Sequence, residues 1–169
     1  TDTTGKSSTD SITIDVQGPN SVPTCEIMNP LTGDVAVQGS SVVFTGQAGD
    51  VDIPVTDLSF EWLSDKDGLL GTGAIDSQGE ITFAHQGLSV NTHTISLEVR
   101  DEVGATCSDT ILLTVDTPPA ITLNSPLTGD VATVGQSQFF SAVVSDNEDP
   151  ASSLTVEWTD SLDGLIYSG

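Results

Sequence analysis

The side chains best equipped for chemistry in this sequence are its carboxylates, and they fall in groups. Asp50, Asp52 and Asp57 form one set, and Asp146-Asn147-Glu148-Asp149-Pro150 holds a second, in Asp146, Glu148 and Asp149. Asp65 and Asp67 form a third, which recurs as Asp160 and Asp163, while Asp101 and Glu102 adjoin one another before a late apolar segment. Sets with only oxygen donors suit a hard divalent cation, because calcium takes six to eight oxygens from carboxylates and carbonyls on loops. None of the sets has EF-hand spacing, so whatever signal they carry is one of position. The plainer alternative is a series of solvated acidic turns. The fold decides between these by bringing the groups together or keeping them apart.

Other reactive residues are sparse. His93 shares the alternation of Ile95, Leu97 and Val99 and reads as a core histidine; His85 ends an apolar segment before a glycine loop, with no second ligand nearby. No GxSxG elbow, HExxH pair or glycine-rich phosphate loop occurs. Carboxylate pairs of the kind used in glycoside hydrolysis could be assembled from so many aspartates, but they sit on turns that recur along the chain. Trp62 and Trp158 occupy inward positions of alternating segments and do not form an exposed sugar-stacking row. No catalytic or cofactor-binding residue is assigned, and the chain is predicted not to be an enzyme.

The elements that must position these groups are repeats. Pro30-Leu31-Thr32-Gly33-Asp34-Val35-Ala36 returns as Pro126 to Ala132, Glu61-Trp62 as Glu157-Trp158, and Asp67-Gly68-Leu69 as Asp163-Gly164-Leu165, each displaced by 96 positions. Asp10 to Val16 matches Asp109 to Val115 at a displacement of 99. A period near 100 residues is the length of an immunoglobulin-type sandwich. The organisation predicted is the last strand of one repeat at 1–18, a complete repeat at 19–116, and the first half of a third at 117–169. No signal peptide opens the sequence, which reads as a piece of something longer.

Period-two alternation runs through the complete repeat. Val42, Phe44, Gly46 and Ala48 share a face, as do Leu58, Phe60 and Trp62; Ile81 and Phe83; Ile95, Leu97 and Val99; and Ile111, Leu113 and Val115. With a lead-in at Cys25–Met28 this gives about seven short strands between Gly, Asp and Pro turns, an all-β signature.

Composition excludes several partners. Three basic residues stand against 25 acidic ones, for a net charge of −22. Nucleic-acid binders need a basic footprint, and anionic membrane surfaces attract basic segments. No stretch approaches the roughly 18 apolar residues of a membrane span.

Glu61-Trp62-Leu63-Ser64-Asp65-Lys66-Asp67-Gly68-Leu69-Leu70-Gly71-Thr72-Gly73 resembles the Trp-centred motif of PKD-like and immunoglobulin-like repeats of archaeal and bacterial surface proteins. Asn91 to Asp101 is similar to the penultimate strand of such repeats, although a WDFGDG-type core motif is lacking. The resemblance implies all-β, tandem immunoglobulin-like (PKD/cadherin-like) β-sandwich repeats at a cell surface. It implies a stalk, sheath or filament spacer whose partners are neighbouring repeats or filament subunits. An adhesin-type module is the alternative, with a protein or glycan ligand held by exposed loops, for which Gly87-Leu88-Ser89-Val90 is the one apolar candidate.

Such a topology makes two further expectations concrete. Cys25 and Cys107 would begin strands at the same pole and lie side by side, so they form either one disulfide or two buried thiols. An extracellular setting favours the bridge, which would close about 80 residues and stabilise by roughly 4 kcal/mol in the chain-entropy view. The linker Val115-Asp116-Thr117-Pro118-Pro119 would arrive beside Asp146, Glu148 and Asp149, with Asp50, Asp52 and Asp101 as the equivalent pole one repeat earlier. Ca²⁺ is expected at those junctions, much as cadherin-type arrays stiffen theirs. Proline in both linkers (Pro19, Pro23, Pro118 and Pro119) limits bending.

Overall fold

The structure, a computed structural model, describes residues 3–14 and 18–169. Eight strands build the complete repeat: β1 (Thr24–Asn29), β2 (Asp34–Val37), β3 (Ser41–Gly49), β4 (Ser59–Ser64), β5 (Gly68–Ala74), β6 (Glu80–Gln86), β7 (Asn91–Arg100) and β8 (Thr106–Asp116). They form two sheets, ordered β1-β3-β6 and β2-β8-β7-β4-β5. All pairings are antiparallel except β2 with β8, which is parallel. This is an immunoglobulin-like β-sandwich, and no described helix is long and apolar enough to cross a membrane.

The inward rows of alternating residues become the core. Phe44, Trp62, Ile95, Leu97 and Val99 are fully buried, joined by Phe60, Ile81, Leu113 and Val115. Trp62 packs on Phe44 with ring centroids 5.1 Å apart. Burial of so many large apolar side chains, at about 1.5–3 kcal/mol each, is what holds the two sheets together.

Two strands escape the alternation argument. β5 is rich in glycine, and its glycines are there for space. A Cβ on Gly71 would collide with the Phe83 ring across the sandwich, and one on Gly73 with the Phe60 ring. β2 is short and outward-facing, with Val35 and Val37 exposed. Its pairing comes from β8 alone, Asp34 opposite Leu113 through Val37 opposite Asp116, flanked by Gly33 N donating to Leu112 O and Gln38 N to Asp116 O.

The second copy repeats four of these strands as β9 (Ala120–Ser125), β10 (Ser141–Ser145), β11 (Glu157–Asp160) and β12 (Gly164–Ser168). Phe140 and Trp158 keep the ring contact, at 5.2 Å. The turn before β2 is also copied: Leu31 N donates to Asp34 Oδ2 at 2.8 Å, and Leu127 N to Asp130 Oδ2 at the same distance. Yet Asp130–Thr133 is not a strand, and Val131 is almost fully exposed. The turn is made by local residues, whereas the strand needs a β8 to pair with.

At the other end, the last strand expected within 10–16 is absent from its described part. Residues 10–14 have no strand structure, and Ile12 and Ile14 are exposed. A strand needs a neighbouring edge, and no strand among the described residues pairs with this segment; Asp15 and Val16 lie outside the described residues.

Candidate metal centre

Strand directions sort the loops into two poles. One pole, where β1 enters, holds the β3–β4 loop and the β7–β8 turn; the other holds the β4–β5 turn, the β6–β7 loop and the exit of β8. The exit of β8 therefore leads straight into residues 117–169, where the two segments meet.

At that meeting, β8 ends on Asp116, whose Oδ1 accepts from Thr117 N at 2.8 Å. Beyond β10, Asp146 Oδ1 accepts from Glu148 N at 2.9 Å and Asp149 N at 3.0 Å, folding the loop back on itself. Those backbone donors, Glu148 first and Asp149 next, hold the Asp146 carboxyl below its ordinary value. The Thr117 hydroxyl donates to Glu148 Oε2. The outcome is one ligand oxygen from each of Asp116, Asp146 and Glu148, all within 4.8 Å of one another, the one such acidic group among the described residues. Asp149 joins Asp116 and Glu148 in lining an open cleft of about 440 Å³, whose lining also includes Val90, Asn91 and Thr92. Backbone N–H groups hold Oδ1 of both Asp116 and Asp146, which fixes the two carboxylates in place. With no histidine or thiol in it, this donor set fits a hard cation.

The equivalent pole one copy earlier is built from the same positions with different chemistry. Asn20 stands where the second copy has Asp116, Ser21 where it has Thr117, and Asp52 where it has Glu148. Ser21 N donates to Asp52 Oδ2 at 3.0 Å, and Asp52 N to Asp50 Oδ1 at 2.9 Å. Asp50 Oδ2 is buried without a hydrogen-bond partner. Asp101 is buried too, but its carboxylate is fully engaged: Asn20 Nδ2 donates to Oδ2 at 2.8 Å, Val103 N and Ala105 N to Oδ1 at 3.1 and 2.7 Å. The Asn20 amide first, then those backbone groups, hold its carboxyl below the ordinary value. Asp50, Asp52 and Asp101 lie at one pole, yet Asp101 ties the β7–β8 turn to the linker and does not converge with the others into a ligand group.

The exit pole holds an assembly that the sequence did not reveal. His93 is fully buried; its Nε2 lies 2.7 Å from Ser89 O and its Nδ1 2.8 Å from Ser64 Oγ. A carbonyl only accepts, so Nε2 carries the proton and Nδ1 accepts from the Ser64 hydroxyl. Ser64 Oγ in turn accepts from Lys66 N and Asp67 N at 3.1 and 3.2 Å. Asp67 takes both the amide and the hydroxyl of Ser89, at 2.9 and 2.8 Å. The Ser89 amide is the main cause of its lowered carboxyl pKa. Serine, histidine and aspartate are together here, but Ser64 and Asp67 both approach Nδ1 and a carbonyl caps Nε2. The set is a clasp that pins the β6–β7 loop, and Leu88 of that loop is buried beneath it and not displayed. The second copy hints at the motif: Asp160, which falls at the Ser64 position and not at that of Asp65, accepts from Leu162 N and Asp163 N.

Cys25 and Cys107 are joined by a disulfide, with Cα atoms 5.9 Å apart, linking β1 of one sheet to β8 of the other. Ile27 N donates to Asp109 Oδ2 at 2.8 Å just beyond it.

No family model and no curated protein matches this chain. Among solved structures it is similar to the fibronectin(III)-like modules of Clostridium thermocellum CbhA, at 17% identity over 86% of this chain and 73% of that one, with a TM-score of 0.45. It is similar to a chimeric titin Z1Z2 functionalized with a KLER peptide from decorin, at 22% identity over 60% of this chain and 100% of that one, TM-score 0.42. A third likeness is to CopC from Methylosinus trichosporium OB3b, at 18% identity over 56% of this chain and 95% of that one, TM-score 0.38.

Proposed function

We propose that the chain is a non-catalytic structural segment of an extracellular surface protein, a spacer of a stalk, sheath or filament. In this reading consecutive immunoglobulin-like sandwiches stack head to tail and are stiffened by Ca²⁺ where they meet. The observation that carries it is the approach of Asp116, from the end of one copy, to Asp146 and Glu148 in the entry loop of the next, all within 4.8 Å. Three carboxylates held this close repel one another unless a cation or a proton intervenes. Bound there, Ca²⁺ would supply the positive charge that fixes the linker against the loop. The chain's own part is to hold the oxygens in place through the Asp146 turn and the Thr117–Glu148 bond. The disulfide and the net charge of −22 support an oxidising, extracellular setting.

The test is thermal unfolding of the chain in millimolar Ca²⁺ and in excess EGTA, alongside Asp146→Asn/Glu148→Gln. Ca²⁺ raises the melting temperature of the wild type and leaves the variant unmoved, and small-angle scattering shows a narrower distribution of lengths with Ca²⁺. An identical melting curve in both conditions rejects the cation.

A further inference from the structure

The disulfide lies in an unusual place with respect to pulling. Tension reaches the complete repeat at its entry pole, just before Cys25 of β1, and leaves at the exit pole after Asp116 of β8. Cys107, one residue into β8, sits at the entry pole beside Cys25 because β8 starts there and runs the full length of the sandwich. The covalent path from entry to exit is therefore short. It passes through Cys25, the S–S bond, Cys107 and then β8 itself. The residues between the two cysteines, a separation of 82 positions, hang from this path as a closed loop and carry none of the load.

What remains on the path is already stretched. From Cys107 to Asp116 the chain is β-strand throughout, spanning about 30 Å at ~3.3 Å per residue. A strand has almost no slack, since a fully extended chain reaches only ~3.3–3.6 Å per residue. Pulling β8 away from its neighbours would gain hardly any length. It would also break the antiparallel ladder to β7 and the parallel ladder to β2, which flank it on both sides. We infer that the complete repeat is an inextensible tie: β8 and the Cys25–Cys107 bond bear the tension, while the remainder of the sandwich serves as a brace that keeps β8 straight. Its biological use rests on the spacer reading above, in which the array is pulled end to end; the mechanical behaviour itself belongs to this chain alone.

The experiment stretches the whole chain between handles at residues 1 and 169, in EGTA so that no junction cation contributes. Segments 1–24 and 117–169 extend in every variant and cancel in the comparison. With the disulfide intact no further step is expected. In Cys25→Ala/Cys107→Ala a further step of about 270 Å is expected, from 82 residue spacings at ~3.4 Å less the 5.9 Å already spanned. Should that variant not fold, the wild-type chain is held under load while a dithiol cleaves the bond, and the same step follows cleavage. A step of this size in the oxidised chain, or no added step after reduction, overturns the inference. Neither result bears on Ca²⁺, so failure here and failure of the junction reading are told apart.

Discussion

The hydroxyl of Ser64 lies 2.8 Å from Nδ1 of His93, and both residues are sealed from solvent at the exit pole. Ser64 also accepts two backbone N–H groups, so it closes the β4–β5 turn and orients the imidazole that holds Ser89. Ser64→Ala leaves Nδ1 without a donor and two amides without an acceptor. A loss of about 1–3 kcal/mol is expected, with faster hydrogen exchange at Ser89 and Lys66. Urea unfolding and amide exchange check this; unchanged exchange at Ser89 would show that the clasp does not hold the loop.

Asp101 supplies a pH dependence with a definite sign. Its carboxyl titrates below the ordinary value because Asn20, then Ala105 and Val103, donate to the charged form. Stability from a lowered carboxyl pKa is complete above the unfolded-chain value of about 3.9 and is lost as pH falls through the folded-state value. Asp101→Asn cannot accept from Asn20 in the same way and melts at lower temperature at neutral pH. Its curve meets that of the wild type in strong acid. Two curves offset equally at every pH would refute the assignment.

Gly71 is expected to tolerate no side chain. Gly71→Ala drives a methyl group into the Phe83 ring and destabilises by about 1–3 kcal/mol, the usual cost of overpacking. Gly71→Ala/Phe83→Leu should recover part of the loss, as measured by double-mutant denaturation.

Removing the bridge with Cys25→Ala/Cys107→Ala is expected to lower unfolding free energy by about 2–5 kcal/mol, with the native fold kept because Ile27 and Asp109 still stitch β1 to β8. Chemical denaturation measures the loss, and near-ultraviolet circular dichroism of Trp62 reports the core.

Much of the sandwich was legible because burial follows alternation: the rows of Phe44, Trp62, Leu97 and Leu113 point inward where their parity placed them. His93 was placed in the core by the same parity, but its partner Ser64 was not, since a serine in a strand carries no sign of what its hydroxyl will meet. The glycines of β5 show no purpose in the sequence, because Gly71 clears the Phe83 ring of the opposite sheet and Gly73 the Phe60 ring of the neighbouring strand. β2 was missed for a related reason, as its strand character is conferred by β8 alone. At the acidic poles position was readable and engagement was not. Nothing in Asp101-Glu102-Val103-Gly104-Ala105 announces that its first carboxylate is occupied by its own turn.

The identical heptapeptides at Pro30–Ala36 and Pro126–Ala132 raise a question of identity between neighbours. β8 closes its sandwich by pairing with the first of them, far back along the chain, and by side-chain pattern alone it could not distinguish one from the other. Strand exchange between adjoining copies is the natural error of such a chain. Cys25 has Ile121 as its counterpart, so Cys107 has a single place to bond. The disulfide therefore acts as a label of ownership, recording which entry segment belongs with which closing strand.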